Sequence, residues 1–310
     1  MAALSPFLSC SSGVPPHYKS AATHAKVTKC GKGRRSSNTV STSNFDLASL
    51  TKSSIEDMIT VRIAEAMGHV AETMSILTPE RIYEEELLDA GEGTDEDVAR
   101  SLSDLRRINR FLGGRRVVIR AVSSFLKDSR PKQLSLLDVG TGSADVPMAV
   151  ANACRMRGID PFIAAVDLSE RNLRVSRAHL GVSSDIHFVR ADSLSLPFAA
   201  RSFDFVTASL FLHHFRDDDV VRLLADFARI ARRAVIVNDL IRNLVPYYFT
   251  RLAGPILAAS FLTRNDGPVS VLRGFTTREM DELARRAGLK VRETKRMFPY
   301  RLSMIAEVGN

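Results

Sequence analysis

The sequence predicts an α/β protein built around a mostly parallel sheet of seven strands, with a helical extension on the N-terminal side. From Leu134 onward, short apolar runs alternate with amphipathic segments, as they do in βαβ units. The chain has 310 residues, of which 45% are hydrophobic and 25% are charged, and this composition is that of a globular protein rather than a disordered or fibrous one. Because no apolar run approaches about 18 residues, we expect no membrane-spanning helix.

The individual strands and helices of the body follow from this alternation. We predict strands at 134–139, 162–167, 186–190, 203–208, 234–238, 289–295 and 301–308. We predict helices at 145–156, 170–180, 219–231 and 276–287. The last helix begins with a capping box from Thr276 to Glu279 and ends before Gly288. Strands joined through helices pair in parallel, so most of the sheet is expected to be parallel.

Residues 51–114 are expected to form a helical segment ahead of the body. Apolar residues at helical spacing predict helices at 54–77, 79–88 and 94–112. A fourth helix, at 115–127, opens the body domain, which we assign to residues 115–310. The sequence leaves open whether these helices cap a pocket or form a structural collar.

Residues 1–45 have the composition of an organellar transit peptide. They contain six Lys or Arg, nine Ser and four Thr, but no Asp or Glu. The first arginine is Arg34, so the early Arg-rich helix of mitochondrial leaders is missing. We therefore assign residues 1–50 to a leader for the plastid stroma, with the mitochondrion as second choice. A disordered arm that carries no address is the alternative.

Charge and cysteine content limit the classes of partner. The formal net charge of +8 suggests a nucleic-acid partner, but without the six basic leader residues 37 basic residues remain against 35 acidic ones. We therefore expect no nucleic-acid partner. Cys10, Cys30 and Cys154 are too few for a disulfide framework or a zinc cluster and indicate a reducing compartment.

A glycine-containing turn, Asp138 to Asp145, follows the first strand of the body. Gly140 and Gly142 allow a ligand to approach the backbone, and the next helix presents unpaired N–H groups at its start. A dinucleotide-binding turn would have glycine in place of Asp145, and the lysine of a phosphate-binding loop is absent. The Asp138 carboxylate at the strand end suits a ligand with ammonium and sulfonium charge.

The next three strands also end in polar residues. Asp167 ends the second strand, Asp192 follows the third, and Ser209 follows the fourth. A carboxylate after the second strand can accept hydrogen bonds from both hydroxyls of a ribose. One such residue is weak evidence, but the whole series in this order is specific.

This series of motifs resembles the class I S-adenosylmethionine-dependent methyltransferases over about residues 115–308. The Leu-Pro-Phe at 196–198 and the Leu-His-His at 212–214 look most like the ubiquinone/menaquinone C-methyltransferase branch. The resemblance implies a Rossmann-like sheet with a terminal antiparallel hairpin and S-adenosyl-L-methionine as cofactor. It implies that the cofactor contacts Asp138, Gly140, Thr141, Gly142, Asp167, Leu168, Ala191, Asp192 and Ser209.

The resemblance also assigns roles to these residues. The glycine turn with Asp138, together with Ser209, would face the methionine part of the cofactor, and Asp167 would hold the ribose. Leu168 would flank the adenine, and Asp192 would accept a hydrogen bond from its amine. Two positions depart from the family pattern. Ala144 replaces the usual third glycine, and the fifth strand lacks the acidic-aromatic ending of the quinone enzymes.

Candidate catalytic residues follow the fourth and fifth strands. Methyl transfer to a phenol or an enolisable ring requires the loss of a proton, and a histidine near the methyl group can act as the base. His213 and His214 are candidates for that base, with a purely structural role as the alternative for each. Asn238 and Asp239 are expected to orient or deprotonate an acceptor hydroxyl, or else to cap the next helix. Catechol-type methyltransferases place an acidic metal ligand where this chain has Ser209, so we expect no metal.

An apolar, aromatic segment at 243–262 lies within a predicted lid insertion at 240–274. Tyr247 in this segment, with Arg264 and Arg273 beyond it, is predicted to face the substrate, and 264–268 is predicted to be a loop. The segment can also be a helix pair packed on the core or a contact with a membrane surface. The chain is therefore expected to methylate a small hydrophobic acceptor, phenolic or quinone-like, on oxygen or carbon. A non-catalytic methyltransferase-like assembly or regulatory protein in the same organelle is the alternative, and the oligomeric state is left open.

Overall fold

The structure, a computed structural model, describes residues 77–127, 131–180 and 185–309. The leader in residues 1–50 and the predicted helix from Ser54 lie outside these ranges, apart from Leu77. The helices are α1 (Asp95–Phe111), α2 (Gly114–Ser124), α3 (Asp145–Arg155), α4 (Glu170–Leu180), α5 (Asp217–Ile230), α6 (Leu244–Leu257), α7 (Phe261–Arg273) and α8 (Thr277–Arg286). The strands are β1 (Gln133–Val139), β2 (Asp160–Asp167), β3 (Ile186–Arg190), β4 (Phe203–Ser209), β5 (Ala231–Leu240), β6 (Lys290–Met297) and β7 (Arg301–Glu307).

The seven strands form one sheet in the order β3-β2-β1-β4-β5-β7-β6. The first five strands pair in parallel, whereas β7 is antiparallel to both β5 and β6. The predicted Rossmann-like sheet with a terminal antiparallel hairpin is therefore confirmed. The chain moves outward in one direction from β1 to β3 and in the other from β4. A crevice opens at such a reversal, beyond the carboxyl ends of the strands.

Apolar layers cover both faces of the sheet. On one face α5 and α8 pack against β4, β5 and β7 around the fully buried Phe227 and Met280. On the other face α2 and α3 pack against β1 and β2 around the fully buried Val118 and Ile163. This two-sided burial explains why the central strands are near-continuous apolar runs rather than alternating ones. The rigid sheet fixes the positions of the residues that follow each strand.

The predicted helix at 79–88 is wrong, because residues 78–86 form no regular secondary structure. This segment bonds to distant parts of the chain instead of to itself. The Asp266 carboxylate accepts hydrogen bonds from the backbone N–H groups of Leu87 and Leu88, at 2.9 and 3.1 Å. Arg242 Nε donates to the Pro79 carbonyl at 2.8 Å. These tertiary bonds satisfy backbone groups that a helix would otherwise pair internally.

The predicted loop at 264–268 is also wrong, since these residues lie inside α7. Gly267 and Pro268 are poor helix formers, but tertiary packing outweighs their propensity. Leu262 of α7 is fully buried in a small cluster with Val98 and Leu102 of α1. The lid insertion is therefore the helix pair α6 and α7. Within the described residues, no helix has both the length and the apolar character that crossing a bilayer requires.

Candidate functional site

The glycine turn after β1 is held against the end of β2. Gly140 and Gly142 have φ values of 68° and 49°, in the left-handed region that favours glycine. The Thr141 N–H donates to the Val166 carbonyl and the Gly142 N–H donates to Asp167 Oδ2, both at 2.9 Å. Ala144, which replaces the usual third glycine, also has a left-handed φ, of 52°. The turn therefore keeps the glycine-type backbone path at all three positions.

Phe211 packs directly on this turn. A Cβ built on Gly140 would lie 2.0 Å from Phe211 Cδ2, so position 140 has no room for a side chain. The backbone just before Phe211 bends at Leu210, which has a φ of 54°. Left-handed backbone is uncommon for leucine and occurs where the surrounding structure imposes it. The bend after β4 thus brings an aromatic ring onto the turn after β1.

Asp138 is a buried carboxylate at the end of β1. Its Oδ1 accepts a hydrogen bond from Thr207 Oγ1 at 2.6 Å, and no Lys or Arg among the described residues forms an ion pair with it. Burial raises the pKa of Asp138 to about 7, and the Thr207 bond only partly opposes this shift. A buried acid without a cationic partner fits the ammonium or sulfonium part of a ligand.

The residues expected to contact the ribose and adenine follow β2 and β3. Asp167 Oδ2 accepts from the Gly142 N–H, Oδ1 accepts from the Ser169 N–H at 2.9 Å, and burial raises the pKa of Asp167. Leu168 is 63% exposed, as expected of a side chain that flanks a ligand surface. Asp192 is exposed and accepts from the Leu194 N–H at 2.9 Å.

Ala191 connects these two strand ends. The N–H of the half-buried Ala191 reaches the Asp167 carbonyl at 3.3 Å. The candidate cofactor residues therefore lie in a row along the carboxyl ends of β1, β2 and β3, with Ser209 continuing the row after β4.

His213 lies between two buried carboxylates. Its Nδ1 is 2.6 Å from Asp239 Oδ1, and its Nε2 is 3.5 Å from Glu86 Oε1. Burial by itself lowers the pKa of His213, but Asp239 and Glu86 outweigh it and raise that pKa to about 10. Burial conversely opposes the ionisation of Glu86, yet the two histidines hold its pKa at about 2. A histidine with so high a pKa already carries both ring protons at neutral pH, so in this arrangement His213 does not have the free nitrogen that the expected base role needs.

His214 stacks beside His213 and has a separate carboxylate partner. The two ring centroids are 4.2 Å apart, and His214 Nδ1 is 2.5 Å from Asp89 Oδ2. Glu86 and Asp89 were not among the residues predicted from the sequence. Both lie in the acidic stretch 84–89, whose composition is typical of a solvent-exposed helix face. No local sequence pattern distinguishes Glu86 from its acidic neighbours.

The two predicted substrate-facing arginines have other contacts here. Arg273 is 5% exposed, and its guanidinium donates to the backbone carbonyls of His213, His214 and Glu84 at 3.1, 2.7 and 2.6 Å. These hydrogen bonds hold the backbone of both histidines in place. Arg264 is exposed and donates to the Ser260 carbonyl of its own helix at 3.3 Å.

The aromatic candidate on the lid is less enclosed. Tyr247 is half-buried on α6, and its ring meets Tyr248 edge-on, with the centroids 5.1 Å apart.

Where β5 and β7 meet, three buried polar atoms have no hydrogen-bond partner among the residues that the structure describes. Asn238 donates from Nδ2 to Ser209 Oγ at 2.5 Å, but its Oδ1 accepts nothing. Asp239 Oδ2 and Arg301 Nη1 are likewise unpaired. Arg301 is the first residue of β7. It was not predicted as a site residue, because a charged residue at the start of a strand is usually exposed to solvent. Buried polar groups are almost always paired in folded proteins, so three unpaired atoms at one sheet edge indicate a ligand site.

Arg301 belongs to a buried polar network that reaches α3. Its Nη2 donates to Asn109 Oδ1 at 3.1 Å, and Asn109 Nδ2 donates to Asp145 Oδ1 at 3.2 Å. Arg115 Nε pairs with the other Asp145 oxygen at 2.9 Å. Burial lowers the pKa of Arg301 to about 10, and Arg301 remains a cation at neutral pH.

One group of side chains at this edge has the composition of a metal site. Glu86, His213 and His214 each offer a ligand atom, and these three atoms lie within 4.8 Å of one another. The absence of a metal predicted from Ser209 concerns a different position, at the end of β4.

Residues 136–234 match the methyltransferase domain family. A demethylmenaquinone methyltransferase of Bacteroides fragilis is 34% identical over 103 residues, which are 32% of this chain and 40% of that protein. A ubiquinone biosynthesis O-methyltransferase of Thiobacillus denitrificans is 30% identical over 163 residues, which are 51% of this chain and 65% of that protein. Human N-acetylserotonin methyltransferase, solved in complex with S-adenosylmethionine, shares the fold with a TM-score of 0.52 and 13% identity, over 74% of this chain and 63% of that one.

The resemblance inferred from the motifs is confirmed by these comparisons. The chain nevertheless spans less than two thirds of the length of these curated relatives. The matched domain contains the cofactor residues predicted from the sequence, from Asp138 to Ser209. Glu86, Asp239 and Arg301 lie outside the matched residues. The family match therefore covers the candidate cofactor residues but not these three.

Proposed function

Because this chain carries a class I S-adenosylmethionine-dependent methyltransferase domain, we propose that it methylates a small hydrophobic acceptor that reacts as an oxyanion or enolate. The observation that carries the proposal is that two unpaired buried atoms, Asn238 Oδ1 and Arg301 Nη1, belong to side chains on the same face of the sheet. They lie at the same sheet edge as the glycine turn. An acceptor and a cationic donor on one face would bind a hydroxyl group and the anion that it becomes, whereas Asp239 lies on the opposite face, beside His213.

The cofactor end of the crevice fits S-adenosyl-L-methionine on three counts. The buried Asp138 carboxylate, which lacks a cation, suits the positive charge of the methionine part. Asp167, at the end of β2, would accept hydrogen bonds from the ribose hydroxyls, and Asp192, after β3, would accept from the adenine amine. When bound, this cofactor supplies an already activated methyl group, so the protein has to position the acceptor and exclude water.

The acceptor end would prepare the nucleophile. A phenolic hydroxyl has an ordinary pKa near 10 and is therefore neutral at pH 7. Asn238 Oδ1 can accept its hydrogen bond and orient the oxygen. The Arg301 cation favours the ionised form, because an opposite charge in a buried site lowers the pKa of an acid. The ionised hydroxyl releases its proton to solvent before the methyl group is transferred, so activation by this cation takes the place of the base role expected of His213.

The lid supports a hydrophobic acceptor. Helix α6 buries none of its side chains fully, and Leu252 and Ile256 on it are 72% and 84% exposed. The relatives named above act, by their names, in menaquinone and ubiquinone biosynthesis. A phenolic or quinol ring fits both observations, and the reacting atom is then the ring oxygen or the carbon beside it.

The composition of residues 1–45 supports a plastid as the place of action. Residues 1–50 fused to a fluorescent protein are expected to direct it to plastids. Retention of the fusion in the cytosol would refute the assignment.

The test begins with calorimetric titration of the full chain with S-adenosylmethionine and S-adenosylhomocysteine. Asp167→Asn removes charged hydrogen bonds worth about 1.5–3 kcal/mol, so we expect affinity to fall about 10- to 100-fold. Asp185→Asn, which changes an exposed acid paired with Arg155, is the matched control and is expected to bind like the parent. No binding by the folded parent would reject the enzyme and favour a structural protein with the same fold.

Transfer itself is tested with a labelled methyl donor and a panel of phenols and hydroquinones. Labelled product is expected from the parent, and far less of it from Arg301→Met. Transfer only to acceptors without an ionisable hydroxyl would contradict the proposed activation while leaving the cofactor site intact.

A further inference from the structure

We propose that Glu86, His213 and His214 bind a divalent transition-metal ion of the zinc class, with Asp89 as the fourth ligand. The ligands come from two distant parts of the chain. The histidines lie in the short turn after β4, and the acids lie in the segment before α1. The site would link that segment to the sheet.

The two ring nitrogens of His213 lie at different distances from their carboxylate neighbours. Its Nδ1 is 2.6 Å from Asp239 Oδ1, which is a direct hydrogen bond. Its Nε2 is 3.5 Å from Glu86 Oε1, which is longer than the 2.7–2.9 Å or so of a charge-assisted hydrogen bond. Ligand atoms about 2.0–2.1 Å from a tetrahedral zinc ion lie about 3.3–3.4 Å apart. The Glu86 side of His213 therefore has the spacing of two ligands to one ion.

The third and fourth ligands complete the arrangement. His214 Nδ1 lies 3.9 Å from Glu86 Oε1, about 0.5 Å beyond the ligand spacing of a tetrahedral zinc site. Asp89 Oδ2 lies 2.5 Å from the same His214 nitrogen. An ion inserted between Asp89 and His214 would require the two atoms to move apart by about 1 Å. His214 and Asp89 are partly exposed, so they have room for this movement.

The partners behind the ligands are those of a metal site. Metal-binding histidines usually donate their second N–H to a carboxylate, which fixes the tautomer and strengthens the ligand. Asp239 has this role for His213. Glu86 Oε1 accepts from Ser270 Oγ at 2.8 Å. Arg273 holds the backbone carbonyls of both histidines.

The ligand atoms also select the kind of ion. Two imidazoles and two carboxylates suit zinc or cobalt, whereas magnesium and calcium prefer six or more oxygen ligands. Three carboxylates, Glu86, Asp89 and Asp239, surround the two rings and compensate the charge of a divalent cation. The ion would take the place of a proton on His213 Nε2.

The experiment titrates the chelator-treated full chain with Co²⁺ and follows the visible absorption that tetrahedral cobalt acquires. Zn²⁺ is then used to displace the cobalt, and Mg²⁺ serves as the control ion. One equivalent of Co²⁺ is expected to bind with a tetrahedral spectrum, to be displaced by Zn²⁺ and to be unaffected by Mg²⁺. No cofactor or acceptor is present, so the result is independent of methyl transfer.

Variants assign the bound ion to these ligands. Glu86→Gln keeps the shape of the side chain, and His214→Ala removes a partly exposed ring, so both are expected to fold and to lose at least tenfold in affinity. Asp239→Asn, behind His213, is expected to lose about 10- to 100-fold. His187→Ala removes an exposed histidine of β3 and should leave binding unchanged. No cobalt binding by the parent, or equal binding by parent, Glu86→Gln and His214→Ala, would overturn the proposal.

Discussion

The ring of Phe211 rests on the backbone of Gly140, with no space between them for even a methyl group. Two features therefore require glycine at this position: the left-handed φ of 68° and the aromatic ring packed on the backbone. Gly158 meets only the first of these two requirements and therefore serves as a comparison. It has a similar φ of 70°, but a side chain there would meet no atom within 4 Å.

We expect Gly140→Ala to destabilise the protein by more than Gly158→Ala. The left-handed backbone alone costs an alanine about 1–2 kcal/mol, which is the whole expected effect at position 158. At position 140 the clash with Phe211 adds to it. Urea denaturation of both variants measures the difference, and Phe211→Ala in the Gly140→Ala background should recover part of the loss. Equal losses in the free energy of unfolding for the two variants would show that the Phe211 ring moves aside without cost.

Asp138→Asn is expected to stabilise the ligand-free protein above neutral pH. The pKa of Asp138 is about 7 in the folded protein and near 4 when unfolded, so the folded state binds more protons between those values. Stability from this group is therefore fully present below pH 4 and is lost as the pH rises to about 7. The asparagine has no charge to bury and can still accept from Thr207.

The measurement compares the free energy of unfolding of Asp138→Asn and the parent at several pH values. The difference in favour of the variant should grow by up to about 1.4 kcal/mol per pH unit between pH 4 and 7 and then level off. The same variant should bind S-adenosylmethionine more weakly. A difference that does not vary with pH would contradict the raised pKa.

Arg301→Met is expected to reduce kcat about 100- to 1000-fold, the usual cost of removing one donor to a developing anion. The affinity for S-adenosylmethionine should change little, because Arg301 lies at the acceptor end. The variant leaves Asn109 Oδ1 without its donor, a cost of about 1–3 kcal/mol, so kcat is measured on protein shown to be folded. Arg296→Gln, an exposed arginine on the neighbouring strand, is the control. Unchanged kcat in Arg301→Met would refute the assigned role.

Glu279→Gln is expected to lower the free energy of unfolding by about 1–3 kcal/mol through the loss of a charged pair. The buried Arg242 donates to both Glu279 oxygens, at 3.0 and 2.5 Å, and also to the carbonyls of Pro79 and Gly274. Glutamine can preserve the capping box of α8 through its one oxygen, and it loses both the charge and one of the two bonds from Arg242. Asp218→Asn, which breaks the exposed pair with Arg286, should cost less than 0.5 kcal/mol or so. Equal costs for the two variants, measured by urea denaturation, would show that burial adds nothing.

The sequence predicted the parts of the structure that local patterns determine. Strand β3 and helix α4 have the predicted bounds, because apolar periodicity and end signals agree there. Thr276 and Glu279 form the predicted capping box, since both partners lie within one turn. The candidate cofactor residues lie at or just after strand ends, as expected, and their contacts with the cofactor stay a prediction.

What the sequence did not predict depends on contacts between distant residues. The acidic stretch before α1 has the composition of a helix, but Asp266, almost 180 residues away, captures its N–H groups. Pro268 marks a loop by propensity, yet packing keeps it in a helix. The role of Glu86 and Arg301 follows only from where the fold places them. A histidine read as a base proved to be enclosed by two carboxylates, one of them in an element the sequence misassigned.

The segment before α1 has a consequence for how such proteins diversify. The matched domain at 136–234 carries the row of cofactor residues, whereas Glu86 and Arg301 come from the two flanks. Two lineages can therefore inherit the same central domain and, by changing only their flanks, come to modify different molecules. If Arg301 acts on the acceptor as proposed, similarity confined to residues 136–234 bears on the methyl donor and leaves the acceptor to be determined from the flanking residues.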